Sequence, residues 1–482
     1  MSAVRAHKKQ KWRTAPIWHR SPDENRQGDL YLSGDRCRYP SFVYRQDGHE
    51  LSYEVTNSIN EHLSLVKTKY VYNSSIYFSP EEWYNDRPEW KGGCQMRRFF
   101  EELKDFSKKG DMVLLILCLI VAGFGCVCIA SATSADKFGT NIRYIVLQLL
   151  AIGMGVAIFA LISSIDLDVL SEYRNGLVVF NILLLLMLIP FGTDNNTGNR
   201  SWLDLPLIPF MIQPAEICKI TYVVIMASVM ASHQNRISNP ISVFHMCYHL
   251  GLVVGLNMIL SGDAGDSLIF VFIFIGMTFA GGVSLWWFVL AIGAIAVAFP
   301  ILWQFLGEYQ QNRILILFDE TIDPLGINER YHYKINLQSL TGGGLMGQGL
   351  FNGNRTQGGN LFAQHTDYIF SSMGEELGFF GCVAILLLEL GIIARCIYVG
   401  MRCQDYMRRV VCFGAASALM FQVLINTGMC IGVMPVIGLT LPLISYGPSS
   451  VVTIFGMLGL VSGAYARPSS LSHERYIQPY RG

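Results

Sequence analysis

From Met112 onward the chain is a succession of apolar stretches, about ten of them, each near the 20 residues that cross about 30 Å of hydrocarbon. No other feature restricts the fold as strongly. A lipid-exposed span must satisfy its own backbone hydrogen bonds, so every such stretch is helical. The spans fall at about residues 112–132, 142–162, 175–191, 214–232, 241–260, 266–283, 285–303, 369–398, 409–430 and 447–466. Only the short joints 261–266 and 281–284 separate the fifth, sixth and seventh. The expected fold class is an all-α polytopic membrane protein of about ten transmembrane helices, with a long outer loop between the seventh and eighth.

Lys and Arg near the span ends set the orientation. Arg97, Arg98, Lys104, Lys108 and Lys109 precede the first span; Arg395, Arg402, Arg408 and Arg409 surround the eighth-to-ninth connection; Arg467 follows the last. An even number of spans puts all of these on the cytoplasmic side, with both termini inside. The net charge of zero carries no information about partners, because it averages two unlike sides.

Residues 1–110 carry 19 Lys+Arg against 15 Asp+Glu, and hold no apolar run of span length. Their basic residues lead into no apolar core with a cleavage site, so no signal peptide is expected. Ser41 to Arg45 and Leu51 to Val55 alternate around Gln46-Asp47-Gly48, a hairpin signal. Ser79-Pro80-Glu81-Glu82 reads as a helix start. The expected organisation is an N-terminal cytoplasmic module of α+β type over 1–110, a membrane domain over 111–467 and a cytoplasmic tail over 468–482. Nine of the twelve cysteines lie within spans and read as small apolar packers.

Two outer loops stand out. The first, 192–212, contains Gly198-Asn199-Arg200-Ser201-Trp202. The second, 304–367, is much longer than a typical connector, and such loops are usually functional. It ends at His365-Thr366-Asp367. The eighth span then runs 31 residues from Tyr368 to Tyr398, about 46 Å of helix, so its first turns should stand above the hydrocarbon. Taken alone, Asp367 or Thr366 reads as a helix cap. Other charges accompany it: Glu216 and Lys219 one turn apart, Asp263 and Asp266 at the sixth span, Glu375 and Glu376 in the eighth. Intramembrane charges are costly and face a polar cavity or one another; Glu216 and Lys219 could simply pair. Between the ninth and tenth spans, Pro435 and Pro442 interrupt an apolar run at 432–447, which reads as a re-entrant segment lining the same cavity.

These blocks resemble, in order, the SEDS family (shape, elongation, division and sporulation) of RodA, FtsW and SpoVE proteins. Gly198 to Trp202 with Gln213-Pro214-Ala215-Glu216-Ile217-Cys218-Lys219 is similar to G-x-R-x-W followed by Q-P-[SA]-E-x-x-K. Asp323-Pro324-Leu325-Gly326, Gly347-Gln348-Gly349-Leu350, His365-Thr366-Asp367-Tyr368-Ile369-Phe370, Gly374-Glu375-Glu376-Leu377-Gly378 and the 438–447 stretch resemble later family motifs. The chain departs from the pattern at Asp263, Ala363-Gln364, Ile437 and Pro448, where the family has P-D-x-G-T, an acidic residue, a basic or polar residue and a second glycine.

The resemblance implies a peptidoglycan glycosyltransferase that polymerises lipid II at the outer face of the cytoplasmic membrane, beside a class B penicillin-binding protein acting as transpeptidase. It makes Asp367 the catalytic carboxylate. It sets Glu308, Arg313, Arg200, Glu216, Lys219, His365 and Tyr446 around the substrate, and implies no nucleic-acid partner and no resident metal. An inverting displacement needs one base for the acceptor hydroxyl. The departing diphosphate can be stabilised by Arg, Lys or a divalent cation, Mg2+ or Mn2+. Two alternatives stay open: a transporter that flips lipid II, suited by the embedded Glu216, Lys219 and Glu375, and an inactive scaffold that recruits the transpeptidase.

Overall fold

The computed structural model describes residues 30–33, 41–46, 49–53, 110–134, 138–193, 200–204, 210–305, 307–318 and 329–467. The chain divides into two compact units, Met1–Phe99 and Phe100–Gly482.

In the first unit, strands β1 (Leu30–Ser33), β2 (Ser41–Gln46) and β3 (His49–Tyr53) form an antiparallel sheet in that order. Gln46 pairs with His49, the register that the hairpin signal requires. The expected helix start at Ser79 lies outside the described residues.

The second unit is helical. α1 (Met112–Ala132), α2 (Phe138–Ser164), the short α3 (Leu167–Glu172), α4 (Arg174–Leu186) and α5 (Leu188–Phe191) cover the first three expected spans. Strands β4 (Gly192–Thr193) and β5 (Trp202–Leu203) close the first outer loop. α6 (Pro214–Ser232), α7 (Pro240–Leu260), α8 (Ala264–Ala280) and α9 (Leu285–Phe305) follow. α13 (Ile369–Arg402), α14 (Tyr406–Ile431) and α15 (Pro448–Ala466) complete the bundle. Among the described residues eight helices are long and apolar enough to cross a membrane, and two shorter apolar ones, Ala264–Ala280 and Leu285–Ile301, stand where the sixth and seventh spans are expected.

The long connection is not structureless. It carries α10 (Glu308–Leu315), α11 (Glu329–Gly342) and α12 (Asn354–Gln357). Nor is α13 one straight rod. Gly378 has φ 68° and ψ −167°, which breaks the helix after two turns, and such a φ favours glycine because it has no Cβ. The break is filled by the loop before α12: Phe379 N–H donates to Gly344 carbonyl at 2.9 Å, and Gln348 and Gly349 N–H donate to the Glu375 and Glu376 carbonyls, each at 2.9 Å. Glu375 and Glu376 then serve this loop. Oε1 of Glu375 accepts from Arg355 N–H at 3.0 Å, and Oε2 from Thr356 N–H at 2.9 Å and its hydroxyl at 2.8 Å. Glu376 accepts from Ser131 Oγ at 2.5 Å and Gln357 Nε2 at 2.8 Å.

One end of the bundle gathers Arg395, Arg408 and Arg467. Arg395 makes a two-pronged pair with Asp111 at 2.9 Å, joining the start of α1 to the latter part of α13. Arg408 spans Asp166, Asp168 and Asp405, and Arg467 donates to the carbonyls that end α2. These helix ends therefore share one side, the arrangement an even span count requires. Asp367 lies at the other end.

Candidate active site

Asp367 sits in a turn, not in a helix. α13 begins at Ile369 with Tyr368 as its N-cap and no side-chain capping bond, so neither Thr366 nor Asp367 caps it. The Thr366 hydroxyl instead donates to the Ala363 carbonyl, which also accepts from the N–H groups of Thr366 and Tyr368. Ala363 is held at φ 47°, an uncommon conformation for a residue with a Cβ.

Three successive carbonyls of this turn are fixed from outside it. The His365 carbonyl accepts from Tyr446 N–H at 2.8 Å, that of Thr366 from Ser445 Oγ at 2.6 Å, and that of Asp367 from Asn426 Nδ2 at 2.7 Å. The same Asn426 amide donates to Leu439 carbonyl at 2.7 Å. Gln364 anchors the turn to α1 by donating to Ala132 carbonyl at 2.6 Å. The backbone is thus clamped by α1, α14 and the 432–447 segment, while the Asp367 side chain is left over. Among the described residues none donates a hydrogen bond to its carboxylate and none forms an ion pair with it. It is half-buried, and the surrounding protein pushes its pKa up to about 6 by removing water from the charged form.

The 432–447 segment runs past this carboxylate without regular structure, as its two prolines require. At Gly438, exposed and at φ 79°, a Cβ would stand 3.5 Å from Asp367 Oδ2. Arg313, in α10, holds the same stretch by donating to Val436 carbonyl at 3.2 Å. Tyr446 closes the segment at a ring cluster with His365 and Tyr144, and burial raises its pKa to about 12. Pro448 occupies the first turn of α15, where its missing N–H costs nothing. That explains how a proline replaces the expected glycine.

Glu216 and Lys219 lie on the far side of the segment. Lys219 Nζ pairs with Glu216 at 2.7 Å and Asp266 at 3.2 Å, all three buried. Gln213 bridges Asp263 at 3.1 Å and Asp266 at 2.5 Å. Asp263 caps α8 by accepting from Asp266 N–H, and burial followed by the neighbouring Asp266 charge raises its pKa to about 6. Gly265 packs against Ile437 and Leu439, so this cluster supports the strip whose other side adjoins Asp367. Arg200 is exposed beside β5, and among the described residues no hydrogen bond or ion pair joins it to Asp367. The side chain of Glu308 and the Asp323 to Gly326 motif lie outside the described residues.

The structure thus brings Asp367, His365, Tyr446 and Arg313 together around 432–447, and places Glu216 and Lys219 behind it. Sequence reasoning missed Asn426 and Tyr144. Asn426 had a signal, an amide within an apolar span; Tyr144, at a span end, reads as an ordinary interfacial aromatic. Among the described residues no group of three or more His, Cys, Asp or Glu is arranged to hold a metal ion.

A helical bundle with eight described helices long and apolar enough to cross a membrane, and a clamped turn that presents a carboxylate at one end, defines the class: a polytopic membrane protein. The pattern of the FtsW/RodA/SpoVE cell cycle proteins matches residues 111–468, and the chain belongs to that family. It is 31% identical over 366 residues to the peptidoglycan glycosyltransferase MrdB of Escherichia coli K12, covering 75% of this chain and 94% of that one. It is 30% identical over 358 residues to a probable peptidoglycan glycosyltransferase FtsW of Thiomicrospira cyclica, covering 73% and 90%. Among solved structures, a chain of a peptidoglycan synthase complex that coordinates polymerization and crosslinking matches with TM-score 0.62 and 29% identity, over 76% of this chain and 99% of that one. The rod shape determining protein RodA of Thermus thermophilus matches with TM-score 0.56 and 26% identity, over 75% and 98%.

Proposed function

We propose that the chain polymerises lipid II into glycan strands at the outer face of the cytoplasmic membrane, with Asp367 as the general base of an inverting glycosyl transfer. Its family, and relatives that are peptidoglycan glycosyltransferases, make it an enzyme of that class. The observation that carries the mechanism is the contrast within one turn: three carbonyls clamped, one carboxylate open.

A base must be ionised at neutral pH yet basic enough to take a proton as the hydroxyl attacks. A carboxylate lifted to about 6 by burial meets both conditions. The acceptor 4-hydroxyl passes its proton to Asp367 while its oxygen forms the new bond to the donor's anomeric carbon. The α bond to diphosphate breaks, the linkage becomes β-1,4, and undecaprenyl diphosphate leaves with the bonding pair. No second carboxylate is required, because the leaving group departs as an anion. Arg313, at the 432–447 segment, is positioned to bind that charge, and Mg2+ or Mn2+ carried by the diphosphate would add to it. Lys219 is already committed to Glu216 and Asp266, so it holds the segment's support in place. Glu216, Lys219 and Glu375 all have partners within the fold, which favours the polymerase reading over a flippase that would use those charges.

The partner in this reading is a class B penicillin-binding protein, which crosslinks the strands as they form. Both termini then lie in the cytoplasm. Proteoliposomes containing the full chain, that partner and labelled lipid II test the proposal. Polymer lost with Asp367→Ala supports it. Flipping without polymer, or neither activity, overturns it in favour of a transporter or a scaffold.

A further inference from the structure

Beside the Asp367 turn, three aromatic rings from separate parts of the chain meet. Tyr144, in the second turn of α2, lies 4.7 Å from the His365 ring at 34° and 4.9 Å from the Tyr446 ring at 72°; His365 and Tyr446 are 5.7 Å apart. The two other members belong to the clamped turn and its clamp, through the bond from Tyr446 N–H to the His365 carbonyl. Gln148, one turn after Tyr144, fixes α2 to the same place by donating to the Ser445 carbonyl at 3.2 Å. The rings are thus held in a fixed relation to Asp367.

Packing alone does not account for them. The Tyr222–Phe270 pair, at 5.3 Å, is a buried core contact. Tyr144, His365 and Tyr446 all keep part of their surface open. Arg143, exposed at the next position, lies within electrostatic reach of Tyr446. Open aromatic faces offer apolar area with a polar rim, which suits the C–H faces and hydroxyl edges of a sugar. A cation at their edge suits a phosphate.

We propose that Tyr144, with His365 and Tyr446, is a sugar-binding platform beside the base, taking a hexose ring of the lipid-linked substrate. This rests on the reading of Asp367 as the base, and assigns Tyr144 a specificity role that sequence does not suggest.

The test is steady-state polymerisation of lipid II by the full chain with its transpeptidase partner, comparing wild type, Tyr144→Leu and Tyr144→Phe. Loss of the ring should raise KM for lipid II about three- to tenfold and leave kcat within about twofold, as expected for one aromatic contact. Tyr144→Phe should restore KM, and inhibition by undecaprenyl diphosphate, which has no sugar, should be unchanged by either. A wild-type KM for Tyr144→Leu overturns the platform. So does equal weakening of undecaprenyl diphosphate, which would make the contact a diphosphate one, or failure of Tyr144→Phe to restore KM. If Tyr144→Leu does not fold, Tyr446→Leu carries the same expectation. An active Asp367→Asn enzyme would remove the base while leaving the KM comparison valid, so the two readings fail separately.

Discussion

Asp367 and Glu375 are carboxylates eight positions apart, on either side of the start of the same helix, and they are treated in opposite ways. Glu375 is fully buried, and its oxygens receive the N–H groups of Arg355 and Thr356 and the Thr356 hydroxyl. Asp367 is half-buried, and among the described residues its carboxylate receives nothing, although its own carbonyl and the two before it are all bound. A buried charge whose hydrogen bonds are filled is a structural element; removing it strands its donors. A charge whose backbone is fixed while its side chain stays open is held ready for another molecule. Between these two carboxylates the difference lies in the partners each is given.

The sharpest way to break this contrast is Glu375→Ala. Buried N–H groups at Arg355 and Thr356 would lose their acceptor, so the fold should be weakened by about 2–5 kcal/mol. A melting point equal to wild type would remove Glu375 from the structural side of the comparison. Acidification should act on the other side. With a pKa of about 6, the base form of Asp367 is present above that value and lost below it, so the rate should fall as pH drops through about 6. An acid limb near 4, the ordinary carboxylate value, would show that burial does not tune the base. Asn426→Asp keeps the shape but removes the donor shared by the Asp367 and Leu439 carbonyls. It should lower kcat about tenfold with little change in KM, because orientation is lost and binding is not; an unchanged kcat would show that the turn holds without it. The smallest effect is expected at Gly438→Ala, a change of about 1–2 kcal/mol from the φ of 79° alone, since the added methyl would only touch Asp367 Oδ2 at 3.5 Å. Fluorescence melting and rates on the same preparation would check it.

The fold was legible because its rule is simple. A span needs length and apolarity, and each expected span coincides with an apolar helix. The irregular 432–447 segment was equally legible, since Pro435 and Pro442 cannot donate within a helix. The break in α13 was not. Gly378 reads as part of a motif inside a helical span, and only the loop 343–349 gives it a reason to adopt a positive φ. For the same reason Glu375 and Glu376 read as evidence for a hydrated cavity, when their side-chain partners come from α12 and from Ser131 of α1. At the site, motif order singled out Asp367, His365 and Tyr446, which do come together. Sequence favoured a capping role for Asp367 because a short polar residue before a helix usually caps it. The cap was displaced by one residue, and the Thr366 hydroxyl was drawn to Ala363 instead. Tyr144 was invisible, because its meaning depends on where α2 begins relative to a turn more than 200 residues later.

The most direct measurement is made on purified Asp367→Asn in liposomes, reading lipid II polymerisation and melting temperature on the same sample. An open base that contributes nothing to the fold predicts a rate reduced by about 10²- to 10⁴-fold. It also predicts a melting temperature at pH 7 no lower than wild type, because burial disfavours the charge that the change removes. Polymerisation at the wild-type rate, or a loss of rate matched by a loss of folded protein, would contradict it.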